Sequence, residues 1–153
     1  MNIALDRSEC LNSPHAEPYI GSVVSEQELQ DFINKTIEQS KQPIVIFGAN
    51  WCPDARFLEG VLQLSSVKSF IEKYANIMQI DVGKYERNTD LFSFFDSRIK
   101  DGIPRVFVMD IGGQLLNLKT NDVMRKAREL STQEVFDYFQ EFIGTNKTNS
   151  ENA

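Results

Sequence analysis

Apolar residues recur along this chain with two periods, and the switches between them outline the fold. Leu29, Phe32, Ile33 and Ile37 share one helical face, behind Ser25 and Glu28 at capping-box spacing and the staple pair Val24 and Leu29. This predicts a helix over about 25–40. Ile44-Val45-Ile46-Phe47 is a short β-branched and aromatic run of the kind that fills a strand buried on both faces. A helical face returns with Phe57, Leu58, Val61 and Leu62, led by Pro53, which suits a first turn because its missing N–H has no partner there. Gly60 and Ser65-Ser66 predict a kink or restart before Val67, Phe70, Ile71 and Tyr74.

Ile77 to Val82 reads as a second strand and Asp90 to Phe95 as a short helix. Arg105 to Met109 and Gln114 to Leu118 flank Asp110-Ile111-Gly112-Gly113, the pattern of a β-hairpin with a glycine turn. Gly112-Gly113 is a turn and not a phosphate loop, since no helix follows it. The closing helix has a capping box, Ser131 with Glu134, a staple, Leu130 with Val135, and a face of Val135, Phe136, Phe139, Phe142 and Ile143, with Gly144 as its stop. Counting a weak strand near Tyr19, the order is strand, helix, strand, helix, strand, helix, hairpin, helix. That predicts an α/β fold with a central mixed sheet flanked by helices.

At the ends the periodicity fails. Residues 1–18, with Pro14 and Pro18, are expected to be a flexible arm that adds little stability, 19–144 the folded domain, and 145–153 a flexible polar tail. A chain of 153 residues is long enough for one sizeable core, and eleven Phe supply much of its burial. The net charge of −6 disfavours a phosphate backbone as partner. No apolar run approaches the roughly 20 residues of a membrane span, and 1–18 carries no apolar signal core, so a soluble cytoplasmic protein is expected, or a periplasmic or exported one if a leader was removed. Two cysteines, Cys10 and Cys52, and one histidine, His15 in a polar stretch, offer neither a disulfide framework, a metal site nor a Cys-His pair. The motifs Asn34-Lys35-Thr36 and Asn146-Lys147-Thr148 carry little meaning without a secretory signal.

One segment carries chemistry. Cys52 lies between a strand and a helix opened by Pro53, where unsatisfied backbone N–H groups and the positive end of the helix dipole stabilise a thiolate. The bland alternative is a small buried apolar residue. Trp51 serves equally as a platform beside the sulfur or as ordinary packing. Asp54, in the first turn, is expected mainly to cap the helix and secondarily to tune the thiol, and Arg56 either offsets Asp54 or is solvated.

The run Ala49-Asn50-Trp51-Cys52-Pro53-Asp54 between strand and helix, the strand Ile77 to Val82, and Gly102-Ile103-Pro104-Arg105-Val106 before a hairpin together resemble the thioredoxin family over about 19–144. The resemblance implies a thioredoxin fold, a nucleophile at Cys52, a cis proline at Pro104 beside it, and pairing of an extended substrate with Ile103. Trp51, Pro53 and Asp54 would complete the substrate surface. It also implies thiol-disulfide exchange, and with it redox homeostasis, without a bound cofactor, acting on a disulfide-containing protein or small thiol and served by a thiol reductant or oxidant.

Two residues depart from that pattern. Ala55 stands where the resolving cysteine belongs, so the usual dithiol turnover is blocked. Cysteine to alanine there is the exchange made to trap a partner, which favours a substituted centre over a natural single-cysteine one; in the natural case Cys10 is a distant candidate resolving thiol, though a bystander role suits it better. Ile46 occupies the place of a buried acid that assists proton transfer, and assistance would then come from Asp54 or water. The alternative function is a non-catalytic binding module that keeps the groove around Trp51, Ile103 and Pro104. Phe92, Phe94 and Phe95 are expected in the core rather than on a docking patch. Lys84, Arg87, Arg125, Lys126 and Arg128 are expected to be solvated, and Thr120 to Glu129, longer than a tight connection needs, to border the site.

Overall fold

The computed structural model describes residues 2–11 and 17–144; His15, the second sequon and the tail at 145–153 lie outside that range. Helix α1 spans Glu26–Glu38, with the Ser25 and Glu28 capping box formed as the spacing predicts. Strand β1 (Gln42–Gly48) is buried at every position. It leads into α2 (Pro53–Leu62), and α3 (Ser65–Tyr74) restarts directly after it. Strand β2 (Ala75–Asp81), a 3₁₀ turn at Thr89–Leu91, the single turn α4 (Phe92–Phe95) and strand β3 (Arg105–Val108) follow. A kinked 3₁₀ segment, Val123–Glu129, precedes α5 (Thr132–Phe142), whose capping box at Ser131 and Glu134 is also formed.

The sheet has the order β2-β1-β3. β1 pairs parallel with β2 (Ile44 opposite Ile77) and antiparallel with β3 (Ile44 opposite Val108), giving the expected mixed sheet. Because side chains alternate across a strand, Ile44, Ile46, Val106 and Val108 meet α2, α3 and α5 on one face. Val45, Phe47, Ile80 and Phe107 meet α1 and α4 on the other. Phe92 is fully buried, and Phe95 stacks on Phe107 at 4.2 Å, so this aromatic cluster is core.

Two expected strands are absent among the described residues, and side chains explain both. No strand forms near Tyr19. The Asn50 amide instead clamps the Tyr19 backbone from both sides, at 3.1 and 2.6 Å; Asp81 accepts the Gly21 N–H, and Asn88 accepts from Val24 while donating to the Ser22 carbonyl. The hairpin turn does form, with Gly113 N–H donating to the Asp110 carbonyl, but its second arm is reduced to a Met109–Leu115 bridge. Beyond that bridge the Asn117 amide replaces a strand, accepting from Val108 N–H at 2.9 Å and donating to the Val106 carbonyl at 2.8 Å.

The segment read as a detached arm is docked over residues 2–11. Ile3 and Leu5 N–H groups donate to Gln140 and Gln133 on α5, and the Glu9 carboxylate accepts from Ser66 N–H and Oγ at 2.6 and 2.7 Å, in the first turn of α3. Leu5 and Leu11 pack against the core. Apolar periodicity cannot register this docking, because most of it consists of hydrogen bonds to side chains distant in sequence. No helix among the described residues is long and apolar enough to cross a membrane.

Candidate active site

The strand-to-helix junction places Cys52 as the N-cap of α2 with extended backbone (φ −86°, ψ 115°), and no side chain caps the helix. Its thiol therefore stands at the positive end of the helix, as the placement of Pro53 at the first helical position predicts. The residue is 6% exposed, and its Sγ lies 3.9 Å from the Ile103 carbonyl oxygen, toward which it donates. Ile103-Pro104 is cis, and both residues are buried. Pro53 is exposed at the rim. Ala55 is buried one turn of helix from Cys52, on the same face, so a thiol at that position would look toward Cys52.

Trp51 is half exposed; its indole N–H donates to the Gly83 carbonyl at 2.5 Å, and its ring meets Tyr85 edge-on at 6.2 Å. Tyr85 in turn accepts from Gly102 N–H at 3.2 Å. Trp51 is thus a braced, half-exposed ring next to Cys52 and not core packing. Sequence patterns alone give Tyr85 no role; a lone tyrosine in a loop carries no periodic signal.

Asp54 does not cap α2. Its carboxylate accepts from the backbone N–H of Arg128 at 2.9 Å and from Nε of the same residue at 3.2 Å, tying α2 to the 3₁₀ segment. The stretch from Thr120 to Glu129 does border the site, and Arg128 is not simply solvated. Nor is Arg87, which pairs with Asp81 and Glu86. Arg56 pairs with Glu17 at 3.4 Å. Lys84 and Lys126 are exposed, as expected.

Ile46 is core, and the nearby buried acid is Glu59 instead. It lies one turn beyond Ala55 on α2 and accepts from Gln63 at 2.7 Å and from Gln79, the partner of Ile46 across the sheet, at 2.6 Å. Burial pushes its carboxyl above the ordinary value against those two donors. Tyr19, beside Cys52 in the same cluster, fills the space left by Gly48, where any Cβ would collide with its ring. Burial, then the charges of Glu59, Cys52 and Asp81, push its phenol up, so it remains neutral. The legible signal for Glu59 is a charge on the apolar face defined by Leu58 and Leu62.

Cys10 is exposed and not disulfide-bonded. Its neighbours are fixed at Ser66 and against Gly60, which lies about 12 Å along α2 from Cys52 at 1.5 Å per residue. In the docked state Cys10 is out of reach of a disulfide at Cys52.

The family model for thioredoxin matches residues 3–127. The chain belongs to the thioredoxin family. The match begins within the docked segment, whereas the resemblance visible in the motifs starts near Tyr19. Among solved structures, a disulphide isomerase from Xylella fastidiosa Temecula1 is similar at 28% identity with a TM-score of 0.73, covering 82% of this chain and 96% of that one. The germline-specific thioredoxin Deadhead from Drosophila melanogaster is 16% identical with a TM-score of 0.47, covering 73% of this chain and 100% of that one. No curated protein sequence matches this one.

Proposed function

We propose that this chain is a thiol-disulfide oxidoreductase whose nucleophile is Cys52 and in which Ala55 occupies the resolving position. The observation that best supports the reading is the thiol at an uncapped helix N-terminus facing the Ile103 carbonyl at 3.9 Å, in a family named for that exchange. The Cys52 thiolate attacks one sulfur of a substrate disulfide; the new S–S bond forms as the old one breaks, and the departing sulfur leaves as a thiolate that takes a proton from water. The substrate backbone is held against Ile103 and Pro104, with Trp51, Pro53 and Asp54 around it. Neither a metal nor an organic cofactor takes part. With Ala55 in place the sequence stops at the mixed disulfide, because no second thiol is within reach to release it.

Restoring the dithiol tests this reading. Ala55→Cys is expected to give repeated turnover of a peptide disulfide with a thiol reductant, and Cys52→Ala in that background to abolish it. The potential of the restored pair then gives the direction, a reductant near about −270 mV or an oxidant near about −120 mV. Absence of turnover in Ala55→Cys, with the fold intact, would move the assignment to a binding module.

A further inference from the structure

Beside Ile103 the groove carries an arrangement that exchange chemistry does not require. Gly102 is buried with φ +99°, and the place where its Cβ would stand lies 2.6 Å from Cζ of Arg125 and 2.7 Å from Nη2 of Arg105. Both guanidiniums therefore lie against one glycine, within about 5 Å of each other, where like charges repel. Arg105 is 8% exposed. Its three nitrogens donate to the Gly102 carbonyl, the Asn121 side-chain oxygen and the Asp101 carbonyl, at 3.2, 2.6 and 2.8 Å. All three acceptors are neutral. Arg125 is exposed, and among the described residues neither arginine forms an ion pair. Asp101 and Asp122 act on Arg105 through space but less strongly than Arg125 does, and burial with the Arg125 charge pulls its guanidinium down.

A buried cation is normally paired, and a second cation beside it raises the cost of leaving both without an anion. In a chain of net charge −6 this pair of guanidiniums, with Asp101 and Asp122 near enough to act on Arg105 but not paired with it, sits beside the residue that faces the Cys52 sulfur. The 3₁₀ segment explains how: Arg128 fixes one part of it to Asp54 at the start of α2, while Arg125, three residues earlier and across the kink at Lys126, reaches Gly102. Arg105 keeps two N–H groups beyond the three bonds above. The exposed Arg125 fork beside it presents the planar set of donors that suits a carboxylate.

We propose that Arg105 and Arg125 form a carboxylate-binding subsite on the rim of the Cys52 groove, so that the favoured substrates are disulfides with an acidic group close to the reacting sulfur. The inference rests on Cys52 being the nucleophile. Gly102 is one residue from Ile103, so at about 3.3–3.8 Å per residue the acidic group belongs within one or two residues of the substrate cysteine. A glutamate or aspartate in a polypeptide meets that requirement, as do the carboxylates of a small peptide disulfide.

The test measures the rate of mixed-disulfide formation at Cys52 with peptide disulfides that differ only in carrying Glu or Gln, placed at each position flanking the cysteine in turn. A parallel arm compares glutathione disulfide with its neutral ester. The acidic member is expected to react roughly fivefold faster at low salt, with the advantage fading as salt screens it. Arg125→Gln is expected to bring the Glu:Gln ratio close to one, and Arg125→Glu to invert it; each ratio is taken within one variant, so altered folding cannot imitate the result. Selectivity in the peptide arm assigns polypeptide substrates, and selectivity in the glutathione arm alone assigns small ones. A ratio near one in both arms, or one unchanged in Arg125→Gln, overturns the subsite while leaving Cys52 reactive. If no peptide forms an adduct, the nucleophile assignment falls and the subsite with it.

Discussion

The centre of the sheet and its two flanks are held by different kinds of bond. In β1 the backbone pairs with backbone on both sides, along β2 and β3. In the flank at residues 19–24 the backbone is satisfied largely by the amides of Asn50 and Asn88 and the carboxylate of Asp81, and in the flank at 114–121 a few backbone bonds to Val106, Val108 and Asp110 are joined by the Asn117 amide, which takes up the free edge of β3 at Val108 and Val106. A strand pairing tolerates exchange of any one side chain, since its bonds belong to the main chain. A flank that hangs on one amide depends on that residue. The site draws on both: Cys52 follows the central strand, and the 3₁₀ segment Val123–Glu129 that ties to Asp54 follows the second flank.

The largest effect is therefore expected at Asn117. Asn117→Ala leaves the buried Val108 N–H and Val106 carbonyl without partners and removes a bond to Tyr138, so a loss of about 3 kcal/mol is expected in urea unfolding. A loss below about 0.5 kcal/mol for Asn117→Ala would show that the few backbone bonds of the second arm hold it without the amide.

Asn88 comes next. It is left-handed at φ 57° and bonds Val24, Ser22 and Asp81. Asn88→Ala should cost about 2 kcal/mol, of which Asn88→Gly recovers about 1 because glycine tolerates the left-handed backbone while making no side-chain bonds. Equal losses in the two variants would mean that the bonds alone matter.

These residues also mark what the sequence allows to be read. The helices with capping boxes and the central strands were legible because hydrophobic period and cap chemistry agree at the same residues. A weak strand near Tyr19 and the arm Gln114 to Leu118 were read as strands too, yet period reports which face is buried and not what receives the backbone N–H. The proposed nucleophile was legible as a candidate from Trp51, Cys52 and Pro53 at a junction. Tyr85 and the Arg105–Arg125 pair were not, and Glu59 only as a charge on an apolar helical face, because contacts among residues so far apart in the chain are set by tertiary structure.

The docked segment gives a smaller effect. Glu9→Ala removes both bonds to Ser66 at the start of α3 and is expected to lower Tm slightly in thermal unfolding. An unchanged Tm would return residues 2–11 to the status of an arm.

The smallest effect is a slope. The folded Glu59 carboxyl titrates above its ordinary value of 4.5, so its contribution to stability is full below that value and is lost as pH rises through the folded one, where ionisation of a buried acid opposes folding. Glu59→Gln should flatten this decline when unfolding free energy is followed from about pH 4 to 8. A steeper decline in the variant would assign the slope to other groups.

The central claim is tested most directly by non-reducing mass analysis after incubation with a disulfide-containing peptide at neutral pH. The account predicts a persistent adduct on Cys52, absent in Cys52→Ala, unaffected by Cys10→Ala and short-lived in Ala55→Cys, where the new thiol releases the peptide. An adduct that decays quickly with Ala55 present and persists only after Cys10→Ala would contradict it, as would the absence of any adduct at Cys52.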